Sequence, residues 1–446
     1  MKNNVVELSL QKIISTWWPL AASWLLMGIE SPVLSSVMAR LPQAEINLAA
    51  YGGIVFPIML IVEAPILMIL SASTALCTDR SSYKKVYRFM LVSSSILTVA
   101  HILASFTPLY YFLAEDLIGA PQEIIEPARL GLMIMTPWTF SIAYRRFQQG
   151  VMIRFNNSQA VGVGTLVRLA ADVVVLAIGY WIGNIPGVVV ATIAQAMGVI
   201  CEAVYAGIRV RPIYGEYLKP APNVQPALSW ATFARFYTPL AITSFISLAW
   251  QPIGSAALSR MNMPVPSLAV WSVVSGLVFM FRSAGMAYNE TVVALLDRPY
   301  SYNSLKKFTL ILIAGITAVY VLFAATPVAY YWFGAITALD PVLAAMAVTA
   351  FWLSLPIPAL NVLQSWFQGA IVHQKKTRAI PEAMGVFLAT ALVILIIGIY
   401  SKTLVGLYVG SVAFSLANLT QTTWLWLRSK QMLASLARRD AIVNER

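Results

Sequence analysis

Acid, cysteine and histidine are all scarce in this 446-residue chain, which has 18 Asp and Glu, 2 Cys and 2 His. Two distant thiols, Cys77 and Cys201, make neither a disulfide framework nor a metal cluster, and they read as small buried hydrophobes. His101 reads as a satisfied core histidine. The chain has no glycine-rich phosphate loop, ATPase signature, nucleophile elbow or cysteine–histidine cluster. These absences exclude the usual enzyme and metalloprotein classes, so no cofactor and no metal are expected. Energy for any work must come from a gradient or from the substrate. Charged residues make up only 11% of the chain, too few to solvate soluble domains of this total length.

Hydrophobic residues make up 59%. Apolar stretches of twenty or more residues recur from end to end, each long enough to cross a hydrocarbon core of about 30 Å at about 1.5 Å per residue. Twelve spans are expected, at 13–38, 47–77, 86–113, 125–152, 158–183, 186–208, 229–258, 266–296, 304–333, 341–373, 379–401 and 404–427. The first span, with Trp17-Trp18-Pro19, does not look like a cleaved leader and is expected to remain. This is an all-α polytopic protein of the plasma (bacterial inner) membrane.

The net charge of +12 invites a nucleic-acid reading, and its distribution argues against one. With the N-terminus inside, Lys84, Lys85, Arg145, Arg146, Arg154, Lys306, Lys307, Lys375 and Lys376 all fall on the inner side, with the basic tail from Arg428. Only Arg40, Arg129, Arg260 and Lys402 fall outside. That is the positive-inside pattern, with both termini cytoplasmic. The charge reports orientation, and no nucleic-acid partner is needed.

The chain also repeats itself at one constant offset: Pro19-Leu20-Ala21 recurs as Pro239-Leu240-Ala241, Pro32 matches Pro252, Arg40 matches Arg260, and Phe147-Gln148 matches Phe367-Gln368. Six spans per repeat is an even number, so the two repeats enter the membrane from the same side and are parallel. The expected organisation is an N-lobe at 1–212, a proline-rich cytoplasmic linker at 213–227, a C-lobe at 228–430 and a cytoplasmic tail at 431–446, with a V-shaped cavity. Pro32 and Pro252, at equivalent depths in spans one and seven, suit bends that gate or wall that cavity.

The repeat does not duplicate its acids. Glu30, Glu63, Asp172 and Glu202 fall on Trp250, Ser283, Leu392 and Thr422. A charged group in mid-membrane costs roughly 3 kcal/mol on insertion scales, so such residues face protein or water and often bind ions. Glu30 and Glu63, each two residues before a proline, are expected to look into one cavity. Asp172 shares a helix face with Arg168, four residues away, as a local ion pair or as a switchable acid that would free Arg168 for an anion. Glu202 reads as an acid reaching toward the interface near Arg209. Arg282 is a candidate substrate ligand in the second half, with Gln251, Asn361 and Gln364 as hydrogen-bonding groups.

With these features on the page, the chain resembles the multidrug and toxin extrusion (MATE) family, within the multidrug/oligosaccharidyl-lipid/polysaccharide flippase superfamily. The likeness lies in the 6+6 arrangement, the proline-bearing first and seventh spans, Arg145-Arg146-Phe147-Gln148-Gln149-Gly150 and the first-half acids. More narrowly it resembles the progressive ankylosis family, through Trp18-Pro19-Leu20, Leu48-Ala49-Ala50-Tyr51-Gly52 and Gly369 up to Lys375-Lys376-Thr377. The first likeness implies an exporter coupled to H+ or Na+, with its cation site in the N-lobe and Glu30 in that role, where many relatives carry an aspartate. The second implies an organic anion such as citrate, pyrophosphate or a nucleotide, for which Arg168 and Arg282 are suited. The reading is a secondary active transporter, expected to be monomeric, moving a small organic solute by rocker-switch alternating access. The coupling acids are Glu30, Glu63 and Asp172. The alternatives are an ankylosis-type anion exporter and a flippase for a lipid-linked headgroup.

Overall fold

The computed structural model describes residues 8–222, 224–225, 227–296, 298, 300–374, 378–401 and 403–444. Lys375, Lys376, Thr377 and Lys402, named above, lie outside them. All twelve expected spans are helical. Among the described residues, ten helices are long and apolar enough to cross a membrane. The fourth span is instead two helices, Gln122–Ile134 and Thr136–Arg154, and the twelfth runs on as Gly406–Asn444. Outward-facing apolar side chains fit an integral membrane protein. On the third span Val92, Ile96 and Val99 are all more than half exposed, as lipid-facing positions are.

The duplication extends to the backbone. The first helical span, Leu10–Met38, and the seventh, Trp230–Leu258, begin and end at equivalent positions of the repeat. Each is followed by a non-glycine residue in the left-handed region, Gln43 at φ 54° and Met263 at φ 55°. These two strained positions start the next helix, at Ala44 and at Pro264. Wide π-helical turns also recur, at Phe112–Ile118 and Trp332–Ile336. The expected pair of proline bends is less even. Helical structure is continuous through Pro32, whereas the seventh span is interrupted by a turn at Ala249, just before Pro252.

The second and eighth spans differ most. Pro264–Leu295 is unbroken, but the second span stops at Glu63 and resumes as Ile69–Leu76. Pro65 has no N–H to continue the ladder. The chain turns tightly, so that the Ile66 and Leu67 N–H groups both donate to the Glu63 carbonyl. The position matched to Pro65 in the other repeat is Gly285, which leaves the helix intact.

Contacts divide the chain into two compact units, which do not follow the lobes expected from the repeat. One is Met1–Val33 with Val273–Arg446, and the other is Leu34–Ser272. Each unit therefore contains a helix from the other repeat. In the first unit, Leu8 and Ile13 are buried in a core with Tyr288, Val292 and Trp366. In the second, Phe233 and Tyr237 of the seventh span pack with Phe89, at ring distances of 4.7 and 4.8 Å. The lobes remain a division of the repeat, whereas packing exchanges the first helix of each.

The segments after the two repeats dock rather than trail. Asp79 caps the Arg80–Phe106 helix, accepting the Ser82 N–H at 2.7 Å, and its other oxygen accepts the N–H of Val224 from the linker, also at 2.7 Å. In the second repeat the polarity is reversed. Buried Asp440, in the continuation of the last helix, accepts the Tyr302 N–H at 2.9 Å near the start of Ser301–Ala325. Beside it, Arg439 donates to the carbonyls of Leu296 and Arg298.

Candidate functional site

The densest charge inside the Leu34–Ser272 unit is built by the helix Thr136–Arg154. Arg145 and Gln149, four residues apart, share a face. Both reach Glu202 on the helix Gly187–Ile213: Arg145 Nη1 donates to Oε2 at 2.5 Å and Gln149 Nε2 to Oε1 at 2.9 Å. Arg146 is turned about 100° around the helix. It meets Glu63 instead, with Nη2 and Nε donating to the same Oε1 at 2.8 and 3.1 Å. Arg168, on Ser158–Ile182, brings its Nε to 3.7 Å from Glu202 Oε2.

Small residues make this possible. A Cβ on Gly150 would overlap Ser73 Oγ and the Leu70 carbonyl, so only glycine lets the arginine-bearing helix approach Ile69–Leu76. A Cβ on Gly198 would overlap Asp172 Oδ1 and crowd Arg168 Cγ at 3.0 Å. Asp172 is thus seated against the backbone of the sixth span, and it is buried.

Glu63, Asp172 and Glu202 are 6%, 3% and 1% exposed, so all three are held well away from solvent. Ionised carboxylates at such depth require partners. The sequence offered Arg168 as one and left Glu63 without a base. The structure supplies Arg146, 83 residues away along the chain. The positive-inside pattern counts Arg145 and Arg146 as inner-side charges; within the protein Arg145 is buried and Arg146 bonds Glu63. Glu202, read from the sequence as reaching toward the interface near Arg209, is buried and bonds Arg145 and Gln149. One signal could have revealed the arginines: unmatched acids in one repeat call for unmatched bases, and the positions equivalent to 145 and 146 are Ser365 and Trp366.

The second repeat builds its corresponding contact without charge. Gln364 Nε2 lies 3.1 Å from Thr422 Oγ1, 3.2 Å from Asn418 Oδ1 and 3.3 Å from Gln421 Oε1. Thr422 is the position matched to Glu202. The helix pair that is bridged by an ion pair in one repeat is bridged by amides and a hydroxyl in the other.

The remaining expected site residues fall as follows. Glu30, Pro32, Arg282, Asn361 and Gln364 belong to the first unit; Glu63, Arg168, Asp172, Gln251 and Pro252 belong to the second. The structure therefore gathers Glu63, Arg168 and Asp172 into one body and assigns Glu30 to the other. Glu30 is half-buried. Arg282 lies over the Phe414 ring at 5.4 Å, a cation–π contact. Asn361 and Gln364 are buried, Asn361 against Gly285. Gln251 is half-buried. His101 is a core residue, its ring nitrogens 2.8 Å from Thr139 Oγ1 and 2.9 Å from the Leu132 carbonyl. Among the described residues no group of three His, Cys, Asp or Glu is placed to hold a metal ion.

No family model and no curated protein matches the sequence. Solved structures do match the fold. An inward-facing multidrug resistance MATE family transporter of the MOP superfamily superposes with TM-score 0.69 at 13% identity, over 94% of this chain and 99% of that one. The lipid II flippase MurJ, in an inward closed conformation, gives 0.70 at 14%, over 95% and 90%. A MOP superfamily transporter from Pyrococcus furiosus, described as having a binding pocket of reverse polarity, gives 0.64 at 15%, over 95% and 96%. The chain has the fold of these transporters. The likenesses bear on that wider fold and leave the narrower ankylosis resemblance untouched.

Proposed function

On the premise of a transporter fold, we propose that this chain is a secondary active transporter that moves a small organic solute by alternating access, driven by a proton or sodium gradient. The observation that carries the reading is the pair of arginine–carboxylate contacts, Arg146–Glu63 and Arg145–Glu202, with buried Asp172 seated against the sixth span, all in one repeat and with the acids replaced by neutral residues in the other. Glu30 is retained as a further coupling acid by its depth in the first span.

The chemistry follows from burial. An arginine-held carboxylate deep in protein is stable as a pair, and neutralising one partner leaves the other charge uncompensated. A proton or sodium ion arriving at Glu63 would replace Arg146 as its counter-charge. Arg146 must then find another partner, and the second span, which breaks just after Glu63, is the segment whose packing would change. A coupling ion shifts a conformational equilibrium only through such differential affinity.

The test is Glu63→Gln in proteoliposomes, with proton and sodium gradients imposed separately and with organic cations and anions as probe solutes. Loss of gradient-driven flux in a folded protein supports the proposal. Flux and coupling equal to wild type would remove Glu63 from the cycle.

A second reading, a flippase for a lipid-linked headgroup, is favoured by the likeness to the lipid II flippase. Headgroup translocation with no flux of soluble probes would select it. The anion-exporter alternative rests on Arg282, and Arg282→Ala should then abolish binding of citrate or a polyphosphate while sparing efflux of cationic dyes.

A further inference from the structure

The exchange of first helices has a pair of anchors. Trp17 and Tyr237 occupy equivalent positions of the two repeats. In the first unit, Trp17 Nε1–H donates to the Ala284 carbonyl at 2.9 Å, and its ring meets Phe308 edge-on at 5.7 Å and 68°. In the second, the Tyr237 hydroxyl donates to the Pro65 carbonyl at 2.7 Å, and its ring meets Phe89 edge-on at 4.8 Å and 67°. The acceptor and the aromatic neighbour of Trp17 each stand one position before the exact repeat equivalents of Pro65 and Phe89, so the two sites differ by the same single step. Two different side chains, an indole and a phenol, thus make the same pair of contacts, and the feature they share is a polar hydrogen on an aromatic ring.

The two acceptors differ in what they need. Ala284 lies inside the continuous helix Pro264–Leu295, so its carbonyl already has a ladder donor and Trp17 adds a second. Pro65 lies in the break after Glu63. The Ile69 N–H, which would serve its carbonyl in a continuous helix, turns to Ile66 instead. Tyr237 therefore supplies the donor that the break removes. Two residues away, Glu63 is held by Arg146. The break is held at two points near its start, by an ion pair at 63 and by a hydroxyl at 65.

We propose that Tyr237 is a positioning residue for the Glu63–Arg146 pair. It holds the break in the second span open through the Pro65 carbonyl, and Trp17 is its repeat-related counterpart on the eighth span. The exchanged seventh helix then senses the state of Glu63 through this hydroxyl. That consequence for transport rests on the proposed role of Glu63; the positioning itself does not.

The test is amide hydrogen exchange of the purified protein in lipid nanodiscs, read for amides 66–70. Tyr237→Phe keeps the ring and removes the donor, and it should speed exchange there roughly tenfold, the equivalent of one hydrogen bond to an otherwise unsatisfied carbonyl. Tyr237→Trp, which borrows the donor used at position 17, should restore the wild-type rate. In a Glu63→Gln background, Tyr237→Phe should add little, because residues in one network are not additive. Equal exchange in the Phe and Trp variants overturns the proposal, as does the same acceleration with and without Glu63→Gln. Trp17→Phe is the contrasting control: the Ala284 carbonyl keeps its ladder donor, so exchange at amides 284–288 should change far less, and an equal acceleration there would count against the break as the cause. Transport is not among these readouts, so a Glu63→Gln transporter with wild-type coupling would remove Glu63 from the transport cycle and leave this result standing.

Discussion

Arg145 and Glu202 face one another at 2.5 Å across two helices, with side chains only 9% and 1% exposed. The next residue, Arg146, is committed to a different acid on a different helix. One dipeptide therefore staples the fourth span to both the second and the sixth.

Removing one side of the buried staple should cost more than removing both. Arg145→Gln leaves Glu202 with Gln149 and with Arg168 at 3.7 Å, a partial compensation, so a loss of about 3 kcal/mol, the lower end for breaking a buried pair, is expected. The double variant Arg145→Gln/Glu202→Gln should recover much of it. Thermal unfolding in detergent, run as a double-mutant cycle, measures the difference. Additive losses would mean that the pair is not coupled.

Gly198→Ala places a methyl where Asp172 Oδ1 lies, against the backbone of the sixth span. A loss of about 1–3 kcal/mol is expected, the usual cost of overpacking. Gly162→Ala is the control, because nothing lies within 4 Å of the added carbon. There the gain in helix propensity, up to about 1 kcal/mol, should stabilise. Melting temperatures moving in opposite directions are the expected result.

Asp79 gives a pH signature. Burial alone would raise its pKa, but the backbone N–H groups of Ser82 and Val224 and the Ser82 hydroxyl outweigh that and hold the carboxyl below its ordinary value of 3.8. A depressed folded value means that its stabilisation is complete above 3.8 and is lost as pH falls below it. Asp79→Asn keeps a good cap but cannot titrate there. Its melting temperature should fall less steeply than wild type on acidification through this window.

Asp440→Ala should undock the end of the last helix. Arg439 would lose its carboxylate neighbour and the Tyr302 N–H its acceptor. Limited trypsinolysis after Arg438 and Arg439 should become several-fold faster, since local opening governs cleavage. An unchanged cleavage rate would mean that the core residues Met432 and Leu436 hold the segment unaided.

Much of this architecture is legible in the sequence because two signals are long-range and redundant. Apolar runs give the spans, and the constant repeat offset gives the duplication, which the paired left-handed residues Gln43 and Met263 repeat in the backbone. The buried acids are legible too, since charge within an apolar run is conspicuous. Their partners are not. Arg146 and Glu63 are 83 residues apart, and nothing local says that an arginine near a span end turns inward. The fate of the first helix is equally hidden. A repeat states that two segments are alike, and packing alone decides which body each one completes.

That packing has a consequence for how the chain can be divided. Cutting the chain within 213–227 yields two fragments, each missing a helix of its own core and carrying one that the other needs. Neither should be stable alone, but together they should complement one another as a domain-swapped dimer does. A single six-helix repeat with this packing would therefore need a partner copy to complete its core.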